Sequence, residues 1–205
     1  PAGVLLALWM LVCHGTLAQA QTISFSSVRQ FLEATPEQLK PSNQFKFAGI
    51  VTFVDPIQRI FHLEDMTGAV FVRGHADLPF PGLYDRIEVI GNPSLLSGHP
   101  ILTQPRILSS KKGIPPETPI LSVSEINSGG KLYSLVRARG EIRRVFMDYE
   151  GKQFVTLADG KELLTVALLN AGKLNELNRQ LYGATVSVIG VIQSRNRDGQ
   201  KIQIA

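Results

Sequence analysis

An all-β architecture, one small barrel used twice, is what this 205-residue sequence predicts. Three observations carry the prediction. Tyr84-Asp-Arg-Ile-Glu-Val-Ile-Gly91 is echoed by Gly183-Ala-Thr-Val-Ser-Val-Ile-Gly190. Ahead of each lies a glycine inside a strand-like run, Phe45-Lys-Phe-Ala-Gly49-Ile-Val and Val136-Arg-Ala-Arg-Gly140-Glu-Ile, 42 residues before Gly91 and 50 before Gly190. Both halves also carry short alternating runs separated by turn signals. A repeat of this kind fixes the architecture before any single element is assigned. Five strands per unit, with room for a helix between the third and fourth, is the order of an OB-fold, a partly open Greek-key barrel. A glycine within the first strand suits it, because that strand bends sharply to serve both sides of the barrel.

Residues 1–20 stand apart. Val4 to Val12 is an apolar run, and no Lys, Arg, Asp or Glu occurs in the segment. Ala18-Gln19-Ala20 supplies small residues where a signal peptidase reads, so 1–20 is expected to be a secretory signal and the chain exported to the periplasm. The apolar run is too short to cross a bilayer. The one cysteine, Cys13, falls inside this segment, and Val12 before it is not the small residue a lipid anchor requires. The remainder has no thiol for a disulfide or for zinc. The net charge of +4 belongs to residues 21–205 and leans toward the second half. It permits an anionic partner without specifying one.

In the first unit, Val28-Arg29-Gln30-Phe31-Leu32 reads as a short helix, capped by Ser26 or Ser27 and broken at Pro36. Strand signals begin at Phe45 and stop at Asp55-Pro56. Arg59–Glu64 and Ala69–Arg73 form a hairpin about Asp65-Met-Thr-Gly68, with Asp65 in an Asx-type turn. Pro79, Pro81 and Gly82 form a loop. Arg86–Ile90 is the fourth strand, Asn92–Gly98 a polar loop, and Pro100–Leu108 the fifth strand, with Pro105 demoting part of it to an edge. Lys111–Pro119, with three prolines, is an extended linker.

In the second unit, Ser122-Val-Ser-Glu125 is a capping box and predicts a helical turn. Strands are expected at Leu135–Phe146, Gln153–Ala158 and Glu162–Leu168. A helix follows at Ala171–Leu181, where Leu174, Leu177 and Leu181 share a face. Ala184–Ile192 is the fourth strand and Lys201–Ile204 the fifth. The boundaries are therefore 1–20 signal, 21–110 first OB-like domain with a helical lead-in, 111–131 Pro-rich linker and 132–205 second OB-like domain. The fold class is two tandem five-stranded OB-like barrels, with a short amino-terminal helix and one helix in the second barrel.

Gly49-Ile-Val-Thr-Phe-Val-Asp-Pro56, then Leu63–Val72 with its Glu64-Asp65-Met66-Thr67-Gly68 turn, then Ile87-Glu-Val-Ile-Gly91, resembles the extracytoplasmic region of bacterial sensor histidine kinases. The lead-in Val28–Leu32 and Thr35–Leu39, the Pro-rich linker and Ser124–Gly129 are similar to that family too. The resemblance implies a non-catalytic sensory module whose transmembrane and kinase segments would lie beyond residue 205, with a small ligand or a periplasmic protein as partner. His62 stands where the family has an aromatic or aliphatic residue.

No Gly-rich phosphate loop, Gly-x-Ser-x-Gly, His-Glu-x-x-His or paired-cysteine motif occurs, so no catalytic residue, metal ligand or cofactor is assigned. His62, His75 and His99 lack ligand spacing. Candidate binding residues are of two kinds. Phe53, His62, Phe71 and Arg73 could line a shallow cleft of the first unit, although the phenylalanines equally suit a barrel core. Arg137, Arg139 and Arg143 share one parity of the second unit's first strand, and Arg195 and Arg197 fall in the loop before its last strand, beside the usual OB ligand surface. Tyr149 and Phe146 lie near these cations in sequence, but Phe154 is expected to face the core, so nucleic acid is not the expected partner. The second reading is a stand-alone exported OB protein that binds oligosaccharide or nucleic acid.

Overall fold

The structure, a computed structural model, describes residues 22–25, 27–168, 181–193, 195–197 and 200–202. The expected signal at 1–20 and all but the last residue of the helix expected at 171–181 lie outside them, as do the side chains of Arg195 and Arg197.

The first unit runs β1 (Thr22–Ser24), α1 (Val28–Leu32), β2 (Gln44–Asp55), β3 (Ile60–Asp65), β4 (Gly68–Arg73), β5 (Asp85–Leu96) and β6 (His99–Lys112). β2 pairs with both β3 and β5, β5 pairs with β6, and β6 pairs with β4 in parallel, so five strands close on themselves in the OB order. The β4–β6 contact is two residues long, Val72 to Leu102 and Arg73 to Thr103, and ends just before Gln104-Pro105, where a ladder donor is lost. Phe45, Phe47, Val51, Phe61, Leu63, Val70, Val72, Ile87, Val89 and Leu102 fill the interior. α1 plugs one end, with Val28 and Phe31 fully buried and Phe31 edge-on to Phe45 at 5.0 Å.

The segment expected as a polar loop at Asn92–Gly98 is largely strand. Asn92 to Leu96 pair with Thr103 to His99, and only Ser97-Gly98 make the turn. The ladder satisfies the backbone there while Ser94 and Leu95 face water. Asp65 makes the expected turn, accepting from the N–H groups of Thr67 (2.7 Å) and Gly68 (3.2 Å). It also accepts from Val28 N at 2.8 Å, and Thr67 Oγ1 accepts from Arg29 N at 3.0 Å, so the hairpin holds the start of α1.

The second unit runs β7 (Ile120–Leu121), α2 (Val123–Asn127), β8 (Leu135–Met147), β9 (Gln153–Asp159), β10 (Glu162–Leu168), β11 (Thr185–Val191), β12 (Arg195–Arg197) and β13 (Gln200–Ile202). The sheet order is β10-β9-β8-β11, with β7 added along β8. A complete second five-stranded barrel is not found among the described residues. β13, in the segment expected to be the fifth strand, pairs with β12 as a two-stranded ribbon. A short local pairing of this kind closes a smaller loop than the return to β10 would. The outcome is one closed barrel followed by a half-barrel around Val136, Ala138, Ile142, Val155, Leu157, Leu164 and Val166.

The repeat is deeper than its glycines. Gly49 pairs with Ile87 of β5, and the next residue, Ile50, pairs with Glu64 of β3. Gly140 pairs with Val186 of β11, and Glu141 pairs with Ala158 of β9. Both first strands then carry a register shift three residues past the glycine, at Thr52 and at Arg143. Tyr84 N donates to Val51 O at 2.8 Å and Gly183 N to Ile142 O at 2.9 Å, and both residues have positive φ, 65° and 80°. Each unit also opens with a short strand parallel to its first long strand and a five-residue helix, β1–α1 and β7–α2. The capping box of Ser122 and Glu125 is formed as predicted. Of the expected linker, 111–112 complete β6 and 120–127 form β7 and α2, which leaves 113–119 without regular structure and 128–131 in turns.

A Cβ at Gly49 would sit 2.7 Å from Glu64 O and 2.9 Å from Leu63 Cγ; at Gly140 it would sit 2.9 Å from Ala158 O. Gly49→Ala and Gly140→Ala are each expected to destabilise the protein by roughly 1–3 kcal/mol, the range for forcing extra volume into a packed site. Gly130→Ala, whose Cβ would meet nothing nearer than Ser128 Oγ at 3.8 Å, is the neutral control. Chemical-denaturation midpoints of the three variants test this.

Candidate functional site

The outer faces of the second and third strands are where OB barrels take ligands. In the first unit the outward parity of β2, β3 and β4 places Phe53, Ile60, His62, Glu64, Ala69, Phe71 and Arg73 on that face. Phe53 lies 4.8 Å from His62 and His62 5.6 Å from Phe71 between ring centroids, and the Arg73 guanidinium is 5.8 Å from the Phe71 ring. Phe53, His62, Phe71 and Arg73 are thus brought together on one surface. The surface is not an open cleft. Phe53 is 6% and His62 0% exposed, because residues of the second unit fill it: Tyr133, Leu135 and Val191 join Phe53, Ile60, Ala69, Phe71 and Ile101 in one apolar cluster. Only Arg73, at the rim, stays exposed.

Tyr133 is the centre of this joint. Its ring meets His62 edge-on at 5.1 Å and Phe71 at 5.6 Å. Its backbone has φ 66°, a left-handed conformation that costs a non-glycine residue about 1–2 kcal/mol. Its N–H donates to Ile192 O at 2.7 Å. His62 donates from Nδ1 to Tyr133 O at 3.2 Å and accepts at Nε2 from the Gln193 side-chain amide at 3.1 Å. This arrangement fits a neutral ring protonated on Nδ1. Burial drives the His62 pKa from 6.5 down to about 3, against a smaller upward push from its bond to Tyr133 O. Beside it, Glu64 accepts from Leu135 N at 2.9 Å. Burial raises the Glu64 pKa, and its bonds to Leu135 and Ser134 and the charge of Lys131 offset part of the rise.

The equivalent face of the second unit has different residues. The matched registers put Arg144, Thr156 and Thr165 where the first unit has Phe53, His62 and Phe71. Nothing among the described residues docks on it as Tyr133 docks on the first. Phe146 lies flat over Phe154, with centroids 5.1 Å apart and planes at 13°, and the Arg144 guanidinium stands 4.6 Å from the Phe146 ring centroid. The β8–β9 hairpin at Asp148–Lys152 flanks this platform. Its tip residue Tyr149 is 79% exposed, and Asp148 caps the turn by accepting from the Glu150 and Lys152 N–H groups, both at 2.9 Å.

Arg139 is exposed on the outward side of β8, opposite Ser187. Arg143 occupies the register shift and pairs with Glu141 at 3.1 Å. The shift is why Arg144, and not Arg143, takes up the outward alternation and meets Phe146. Arg195 and Arg197 lie in β12, opposite Ile202 and Gln200. Sequence reading found Phe146 near the arginines but missed Arg144, because the facing of both is legible only once the irregularity at Arg143 is known. No group of three or more His, Cys, Asp or Glu able to hold a metal occurs among the described residues.

No family model matches the chain, and no curated protein matches it. Among solved structures, a murine DNA-binding protein bound with double-stranded DNA is similar at 13% identity and a TM-score of 0.39, with 78% of this chain and 93% of that chain covered. The p202 HIN1 domain in complex with a 12-mer duplex is similar at 12% identity and a TM-score of 0.36, covering 78% and 87%. A replication protein A heterotrimer bound to single-stranded DNA is similar at 14% identity and a TM-score of 0.34, covering 83% and 57%. These similar structures hold DNA, which stands against the expectation that nucleic acid is not a partner.

The joint should weaken in acid. A histidine whose pKa is depressed in the closed state contributes fully above 6.5, and that contribution is lost as pH falls from 6.5 toward about 3. The loss approaches about 1.4 kcal/mol per pH unit in that window. Glu64 acts in the opposite sense, because its raised pKa lets the closed joint take up a proton more readily as pH falls. Thermal midpoints between pH 7.5 and 5 should decline, and His62→Gln should flatten the decline. An equal slope in that variant would exclude His62 as its source.

Proposed function

We propose that this protein is a non-catalytic OB-type module that binds single-stranded nucleic acid on the outer face of its second unit. The observation that carries the reading is the outward stack of β8 and β9, in which exposed Arg144 stands over half-buried Phe146 and Phe146 lies on buried Phe154. A flat aromatic face with a cation over it is what a base stacks upon, and every base offers a π-face, so such binding tolerates sequence. Arg139 and Arg143 extend the cationic surface along β8, Lys152 borders it, and the Asp148–Lys152 hairpin sits where OB barrels use the loop joining their first two strands. Pairing of Arg143 with Glu141 and of Lys152 with Glu150 (2.9 Å) leaves the surface only moderately positive. Stacking and charge therefore share the affinity.

The test is fluorescence anisotropy of a labelled oligothymidylate across a salt series. With three or four phosphate contacts, the slope of log K against log salt is expected near −2 to −3, at about −0.7 per contact for a single strand. Phe146→Ala should cost about 1–3 kcal/mol, roughly 5- to 150-fold in affinity. Arg144→Gln should lower the slope by about one contact. Absence of binding at low salt, or binding indifferent to both salt and Phe146, would overturn the reading.

A further inference from the structure

We propose that the outer face of β3 and β4 in the first unit is a second binding face for nucleobases, closed in this arrangement by Tyr133 of the same chain. The proposal shares its ligand chemistry with the preceding reading but uses none of its residues. Three aromatic rings, Phe53, His62 and Phe71, line the face, and Arg73 stands exposed at its rim beside Phe71. This is the aromatic-plus-cation composition that single-stranded nucleic acids stack on, on the surface that OB barrels use for ligands. What fills it is itself a flat ring. Tyr133 packs edge-on and tilted against His62 and Phe71, and accepts a hydrogen bond from His62 through its carbonyl.

The contact has the marks of one that can be exchanged. Tyr133 holds a left-handed backbone, φ 66°, without being glycine, and so carries strain that docking must offset. The polar groups of the joint, the His62 nitrogens and the Glu64 carboxylate, meet partners a nucleic acid could replace: a carbonyl, an amide and a backbone N–H. The segment that would let the units separate, residues 113–119, has no regular structure. Tyr133 thus occupies the first face as an internal competitor, and a strand that displaces it would engage both faces.

The experiment uses the full chain and the same labelled oligothymidylate. Phe146→Ala removes the stacking platform of the second unit, and Tyr133→Ala is then added to it. The double variant is expected to bind at least tenfold more tightly than Phe146→Ala alone, and further addition of Phe71→Ala should abolish the gain. Amide hydrogen exchange at Leu135, whose N–H is held by Glu64, reports opening of the joint. Where that amide stays protected, Leu135→Glu replaces Tyr133→Ala and sets a carboxylate against the apolar cluster to force the units apart. An open joint with no gain in binding, or a gain that survives Phe71→Ala, would overturn the proposal. Binding that appears only when Tyr133 is removed, with none in the parent chain, would support this face and reject the one on the second unit. Binding by the parent that depends on Phe146, with no gain on opening, would do the reverse.

Discussion

At Gly49 and again at Gly140 two backbones come within touching distance. β2 must leave β5 and turn onto β3 at that point, as β8 leaves β11 and turns onto β9. The carbonyl of the crossing strand lies where a side chain would begin, 2.7 Å from a Cβ at the first site and 2.9 Å at the second. The bend and the close approach are one requirement, because a strand can serve both sides of a small barrel only by curling tightly over its neighbour. The irregularities at Thr52 and Arg143 follow three residues later and complete the same bend. They also set which residues face outward beyond them, and so the composition of each outer face descends from the glycine.

The two units share this frame and differ in what they put on it. In the first, the residues past the bend are Phe53, His62 and Phe71, an apolar set that water would solvate poorly and that the second unit covers. In the second, the matched positions hold Arg144, Thr156 and Thr165, which remain accessible. The same geometry thus gives a joint in one copy and an exposed surface in the other. His62 shows how demanding the joint is. A fully buried imidazole with both nitrogens matched stays neutral, and charging it would require the units to part or the ring to lose its partner.

Much of the frame was legible in the sequence because it is local. Gly49 and Gly91, and Gly140 and Gly190, recur in the same order within alternating runs of the two halves. Asp65-Met-Thr-Gly68 specifies its own hairpin, and Ser122 with Glu125 specifies a helix start. What escaped is non-local. The extension of β5 to Leu96 depends on a partner strand, not on the polar composition of Asn92–Leu96. The shift at Arg143, one residue in length, reverses the facing of everything after it, so parity counted straight through from Arg137 selects Arg143 and overlooks Arg144. Tyr133 lies in a turn before β8, and nothing in its neighbours announces that it will cross to the other unit. The last strand was expected by analogy between the halves, and there the halves are unlike.

The seven residues 113–119, with Pro115, Pro116 and Pro119 among them, bear on how strongly the joint resists intrusion. A proline-stiffened tether of this length spans about 22 Å, at roughly 3.1 Å per residue. A tyrosine on so short a leash returns to its socket at a local concentration of order millimolar, however dilute the protein. Any visitor to that socket contends with an occupant that never diffuses away, so it must arrive already held elsewhere on the molecule, and a long polymer satisfies this where a free mononucleotide does not.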